Sequence, residues 1–172
     1  VLVAAALILW IIPAADVHVL QPYQVKRITG FLHPEGDPSG ATYNITQSKV
    51  AVGAGGLDGR GVAGATQTNL SYLPEHATDF VFASFAEQRG FFGAAILLCL
   101  YLLVVWRGLR IITVARDPFS AIVAGGIVVA FLFQVYVNVG MTMGIAPITG
   151  IPLPFISVGG SSMIANLAAM GV

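Results

Sequence analysis

The sequence predicts an all-α polytopic membrane protein: a multi-helix transmembrane bundle with a large extracytoplasmic loop containing a short re-entrant or interfacial helix. Three observations carry this. Hydrophobic residues make up 56% of the chain and charged residues 9%, and the mean hydropathy of +0.84 lies outside the range of soluble domains. Apolar runs alternate with short polar connections. The charges gather mostly between the first and second apolar runs.

The first run, V-L-V-A-A-A-L-I-L-W-I-I-P-A-A, lacks the basic segment of a signal peptide and reads as the end of a transmembrane helix over 1–16. The chain starts at Val1 and stops at Val172, both in apolar surroundings, as expected of a piece of a longer polytopic protein. An extracytoplasmic loop is expected over 17–78, with turns at Pro34, Asp37-Pro38 and Gly53–Gly61. Within it, Y-N-I-T-Q-S-K-V-A-V-G-A-G-G is short, mildly apolar and closed by glycines, which reads as the re-entrant or interfacial helix. Irregular backbone at membrane depth is tolerated only beside protein or a wet cavity, so a cavity is expected here.

The next run reaches the 20 or so residues that cross a bilayer only if it starts near Asp79, giving a transmembrane helix over 79–106. Arg107, Arg110 and Arg116 then mark a short cytoplasmic loop over 107–117. A transmembrane helix over 119–143, an extracytoplasmic turn over 144–154 and a truncated transmembrane helix over 155–172 complete the reading. Cys99 is alone, which excludes an intramolecular disulfide, and it reads as a packing residue. Eight basic residues balance eight acidic ones, so nothing points to nucleic acid.

Two polar groups stand out against this background. In P-E-H-A-T-D-F-V-F (74–82), a helix starting at Pro74 would put Glu75, Asp79, Ala83 and Glu87 on one face. Glu75 has an ordinary reading as an acidic residue at a helix N-terminus. An ionisable group carried into the membrane edge, as Asp79 is, reads as a functional site. In the second group Gln134 and Asn138 share a helix face, as interhelical glue, and Gly140 and Gly144 form a small-x-x-x-small pair.

The order of P-Y-Q-x-x-R-I from Pro22, D-P-S-G at 37–40, Q-S-K-V-A-V-G-A-G-G-L at 47–57, G-A-T-Q-T-N-L at 64–70, L-P-E-x-x-T-D-F at 73–80 and T-G-I-P-L-P-F-I-S-x-G-G-S-S at 149–162 resembles the SEDS family of bacterial cell-wall glycosyltransferases. The likeness covers about the C-terminal half of a family member, and G-M-T-M-G with T-G-I-P-L-P-F is closer to the RodA-like elongation branch than to the FtsW-like division branch. The resemblance implies a peptidoglycan polymerase of the bacterial cytoplasmic membrane that joins lipid II units. It also implies a class B penicillin-binding protein, other elongation-complex proteins and membrane lipids as partners. The essential aspartate of T-D-F is Asp79 here.

A sugar hydroxyl attacking an anomeric carbon needs a base, and partial desolvation would raise an aspartate toward the useful range. Asp79 is read as that base or as a ligand for Mg²⁺ or Mn²⁺, the implied cations. Lys49 is the candidate for the leaving diphosphate, against the plainer reading of a snorkelling lysine. Gln47, Gln67, Glu75 and Thr78 are candidates for binding sugar hydroxyls or ordering the loop. Three positions depart from the family wording: Ala77 stands where His is common, Gln88 replaces the second glutamate after the motif, and Val158 replaces a tyrosine. A flippase for lipid-linked precursors, or a structural scaffold, would share the polar bundle; the scaffold leaves Asp79 without a role.

Overall fold

The computed structural model describes residues 41–69 and 77–171. The helix end expected at 1–16, the first part of the expected loop, and Glu75 lie outside the described residues. Among the described residues the regular elements are all helices: α1 (Ala41–Gly55), α2 (Gly61–Gly64), α3 (Thr66–Asn69), α4 (Val81–Val114), α5 (Pro118–Met143) and α6 (Gly160–Met170).

Helices α4 and α5, of 34 and 26 residues, are each long and apolar enough to cross a membrane. Joined by the short connection Ala115–Asp117, they pack antiparallel. Helix α1 lies across both at the end where α4 starts and α5 stops. Phe82, Leu97, Tyr101, Phe131, Val135 and Leu153 form the core between them. Tyr101 meets Phe131 edge-on and donates its hydroxyl to the Pro154 carbonyl at 2.7 Å, tying the 149–159 segment to the helix pair. The outward faces carry Phe91, Ile96, Leu100, Leu103, Ile122 and Val129, all exposed, a surface suited to hydrocarbon. Cys99 shares that exposure and lies outside the core formed by the described residues.

Helix α4 consists of two helical segments that meet at a break at Gly90, where φ is +66° and ψ −167°. The break lets the chain from α1 run against α4: Phe91 and Phe92 donate their amides to the carbonyls of Gly56 and Leu57 at 2.8 and 3.2 Å. A Cβ at Gly90 would collide with the backbone of Leu57, Asp58 and Gly59. The segment before the break, 81–89, therefore packs with the irregular end of the molecule.

Three boundaries differ from the sequence reading. Residues 77–80 form a turn and α4 starts at Val81, so Asp79 is not on a helix face with Ala83 and Glu87. The stretch expected as a loop from Arg107 stays helical to Val114, because Ile111, Ile112 and Val114 keep the apolar pattern and arginine is a good helix former. The last helix starts at Gly160 rather than Phe155. Pro152 and Pro154 interrupt helical bonding, and Phe155 takes a left-handed φ of +65°.

Pro118 stands in the first turn of α5, capped by Asp117, whose carboxylate accepts the Ser120 amide and the Ser120 hydroxyl, both at 2.8 Å. These bonds, the backbone one foremost, hold the Asp117 carboxyl below the usual carboxylate range. A lowered folded pKa stabilises above the unfolded value and loses that effect as pH falls through the folded one. Asp117→Ala should accordingly lower the melting temperature at neutral pH, and the difference from the parent should vanish in strong acid. Gly90→Ala should cost about 2–4 kcal/mol from strained backbone and displaced neighbours, read as a lower denaturation midpoint in detergent.

Candidate functional site

The turn Ala77–Phe80 leaves the carbonyls of Ala77, Thr78 and Asp79 outside any helix ladder, and each finds a donor. The Val158 amide donates to Ala77 O at 2.9 Å, while the Ser84 amide opens the α4 ladder on Phe80 O at 3.2 Å. Ser157 Oγ donates to Thr78 O at 2.6 Å while accepting from the Leu153 amide at 2.8 Å. Asn138, fully buried on α5, donates through Nδ2 to Asp79 O at 2.9 Å and to Ile151 O at 2.8 Å. Beneath the turn, Phe80 packs with Ile45, Ala51, Ala83 and Ile148. Apolar packing on one side and hydrogen bonds on the other fix the backbone of Asp79.

The Asp79 side chain is half-buried and lies against Gly150, whose added Cβ would stand 3.3 Å from Oδ2. Gly150 has a φ of +73°, a conformation glycine adopts without penalty. Helix α1 approaches the same end of the bundle: Ser48, fully buried, donates to Thr142 O at 2.6 Å. One residue on, Lys49 is exposed and lays its chain along the end of α5, where a Cβ on Gly144 would collide with Cε and Nζ. A cation at a helix C-terminus is favourably placed. The space over Gly140 is taken by Ala146, at 3.3 Å from an added Cβ. Gly140 and Gly144 thus accommodate a turn and a lysine, where the small-x-x-x-small pattern suggested a helix crossing.

A second buried polar group stands two turns up α4. Glu87 is fully buried and accepts from the Gln67 amide at 2.9 Å, the Thr68 amide at 3.0 Å and the Thr68 hydroxyl at 2.8 Å. These are first-turn amides of α3, so the carboxylate caps that helix from outside its own segment. The Glu87 carbonyl accepts the Arg60 amide at 3.0 Å, and the Thr68 hydroxyl also meets Ser84 Oγ at 2.9 Å.

Asp79, Thr78 and Lys49 therefore stand at one end of the α4–α5 pair with α1. Gln47 is half-buried on α1, and Gln67 sits on α3, its amide on Glu87 and its Oε1 buried without a partner among the described residues. Sequence reasoning set Asn138 down as helix-to-helix glue; it binds two loops instead. Ser157, Ser48 and Glu87 received no role at all. A polar pair at i, i+4 in an apolar helix was the available signal for Asn138. The others have none, because their partners are mainly backbone groups, which no side-chain pattern reveals.

Among the described residues no three of His, Cys, Asp and Glu converge to hold a metal ion. A single carboxylate next to a substrate diphosphate is nonetheless a sufficient protein contribution for Mg²⁺, which keeps several waters and binds through one or two carboxylates. Asp79 fits that requirement.

Two antiparallel helices long and apolar enough to cross a membrane, with the backbone of an aspartate held among irregular segments at one end, define an all-helical protein of membrane character with a candidate site at that end. The profile of the FtsW, RodA and SpoVE family, described as cell cycle protein, matches residues 1–172, and the chain belongs to this family, the SEDS proteins. It is 45% identical over 170 residues to the peptidoglycan glycosyltransferase MrdB of Escherichia coli (strain K12), covering 99% of this chain and 46% of that protein. It is 46% identical over 151 residues to stage V sporulation protein E of Bacillus subtilis (strain 168), covering 88% and 41%. A probable peptidoglycan glycosyltransferase FtsW of Thiomicrospira cyclica is 42% identical over 154 residues, covering 88% and 39%. Among solved structures, a chain described under "Structural coordination of polymerization and crosslinking by a peptidoglycan synthase complex" superposes with a TM-score of 0.76 at 31% identity, covering 99% of this chain and 46% of that one. The chain thus spans less than half the length of these relatives.

Glu87→Gln would turn an amide NH₂ toward backbone N–H groups. Losing charge-assisted bonds at a buried site should cost about 3 kcal/mol, seen as a lower melting temperature together with faster amide exchange over residues 60–69.

Proposed function

We propose that the protein containing this chain is a peptidoglycan glycosyltransferase that polymerises lipid II into glycan strands at the outer face of the bacterial cytoplasmic membrane, for cell elongation and shape. The observation that carries this reading is Asp79: a carboxylate with its backbone held at one end of a membrane bundle, in a chain 45% identical to a protein named for that activity. The acceptor's sugar hydroxyl attacks the anomeric carbon of the donor. A new C–O bond forms as the bond to the diphosphate breaks, the hydroxyl proton passes to Asp79, and the bonding pair leaves with undecaprenyl diphosphate. A positioned base of this kind typically contributes about 10²–10⁴-fold.

Lys49 is the residue of this chain proposed for the diphosphate, its ammonium brought to the end of α5 and exposed. Gln47, Gln67, Glu75 and Thr78 remain proposals for ordering sugar groups or the loop. Mg²⁺ or Mn²⁺, when bound, would neutralise charge on the leaving diphosphate; Asp79 as its ligand is the alternative to Asp79 as the base. A class B penicillin-binding protein and other elongation-complex proteins are the proposed partners, supported by the structural likeness to a chain of a synthase complex. Identities of 45%, 46% and 42% to proteins named MrdB, stage V sporulation protein E and FtsW do not separate the branches. The elongation role rests on G-M-T-M-G at 140–144 and T-G-I-P-L-P-F at 149–155.

In the full-length protein purified with its penicillin-binding partner, Asp79→Asn should reduce lipid II polymerisation at least about 10²-fold while leaving the fold intact. Recovery at high Mg²⁺ or Mn²⁺ would assign Asp79 to the metal instead of the proton. Undiminished glycan chains would exclude Asp79 from the chemistry and bring the flippase reading forward.

A further inference from the structure

The Asn138 amide is held in one orientation by what it donates to: Nδ2 reaches Asp79 O at 2.9 Å and Ile151 O at 2.8 Å. Its Oδ1, in a fully buried side chain, has no partner among the described residues. A buried acceptor without a partner opposes stability; an apolar side chain would remove that cost but take this donor from the Asp79 and Ile151 carbonyls. Asn138 is therefore poorly explained as packing. Its two bonds are what distinguish it, and they join the peptide of Asp79 to the segment carrying Gly150, the residue against the Asp79 carboxylate.

We infer that Asn138 is a positioning residue for Asp79: it sets the carboxylate's placement against the 149–158 segment without touching substrate. The inference rests on the polymerase reading for its kinetic consequence, and on geometry alone for its structural one. The other anchors share the work unequally. Ser157 holds Thr78 O and Val158 holds Ala77 O, each farther along the chain from the carboxylate. Asn138 alone among them bonds the Asp79 peptide, and it does so from the regular body of α5. A misplacement of about 1 Å at a reacting group can cost about 10²-fold in rate.

The test uses the full-length protein with its penicillin-binding partner, comparing Asn138→Leu, close in size and without donors, with Ser157→Ala, which removes a neighbouring anchor by the loss of one hydroxyl. Lipid II polymerisation is followed as kcat and KM separately, with amide exchange over residues 77–80 and 149–158. Expected for Asn138→Leu is a fall in kcat of about 10²-fold with KM within about threefold, and faster exchange in both segments. Ser157→Ala should give a smaller kcat loss of the same kind. Should Asn138→Leu fail to fold, a kcat loss without a KM change in Ser157→Ala still supports anchoring of the turn, and an unchanged kcat there overturns it. Wild-type kcat in Asn138→Leu overturns the inference while leaving the polymerase reading standing. If Asp79→Asn proves fully active, the polymerase site fails instead, and the exchange rates alone decide whether Asn138 holds the turn.

Discussion

Backbone carbonyls that leave a helix near a membrane must find donors in the protein, because hydrocarbon offers none and each orphan costs a few kcal/mol. The turn 77–80 meets this constraint completely, with donors from Ser84, Val158, Ser157 and Asn138. Much of the architecture at this end follows. The segment 144–159 must stay irregular so that its own amides and hydroxyls face the turn, and α5 must carry a donor at the level where the turn passes. Tyr101 then holds Pro154 so that the irregular segment has a fixed position to donate from.

The first turns of α4 are gripped from two directions. On one side the Asp79 turn is bonded to α5 and the 149–158 segment. On the other, Glu87 and the break at Gly90 bond the chain from α1 through α3. Between these polar attachments lies the small apolar cluster of Ile45, Ala51, Phe80, Ala83 and Ile148. Helix α1 is thereby placed by packing and by the Ser48 bond to Thr142 O, which puts Lys49 at the end of α5. The opposite end of the molecule is different in kind. An apolar crevice of about 640 Å³ opens there between α4, α5 and the end of α6, with hardly any side-chain hydrogen bonding beyond the Asp117 cap.

Composition and run length were enough to read the all-helical membrane class and the two crossing helices, because lipid demands unbroken internal hydrogen bonding over about 20 apolar residues. Motif order pointed to the family, and Asp79 stood out because an ionisable group at a membrane edge is costly. Periodicity failed where helices are interrupted. It carried Asp79 onto a helix face that begins only at Val81, and it could not see the break at Gly90, since a lone glycine between Arg89 and Phe91 looks like any other small residue. The bonds of Asn138, Ser157 and Glu87 that hold the turn and α3 reach backbone groups as far as 79 residues away, and backbone partners leave no mark on side-chain composition.

The role proposed for Asp79 would give the firmly held turn a purpose. A base acting on a large lipid-linked substrate would have to admit it and yet stay within hydrogen-bond reach of a single hydroxyl. Those needs conflict, since room for substrate removes the packing that would fix the side chain. Here the two are divided between parts of one residue. The Asp79 backbone is fixed by Asn138 and by its neighbours' bonds to Ser157 and Val158, and the carboxylate faces Gly150, where the missing Cβ would have stood 3.3 Å from Oδ2. Rigidity comes from the peptide and space from the glycine. A side chain at Gly150 would undo both, by straining a left-handed backbone and by occupying the space beside the oxygen.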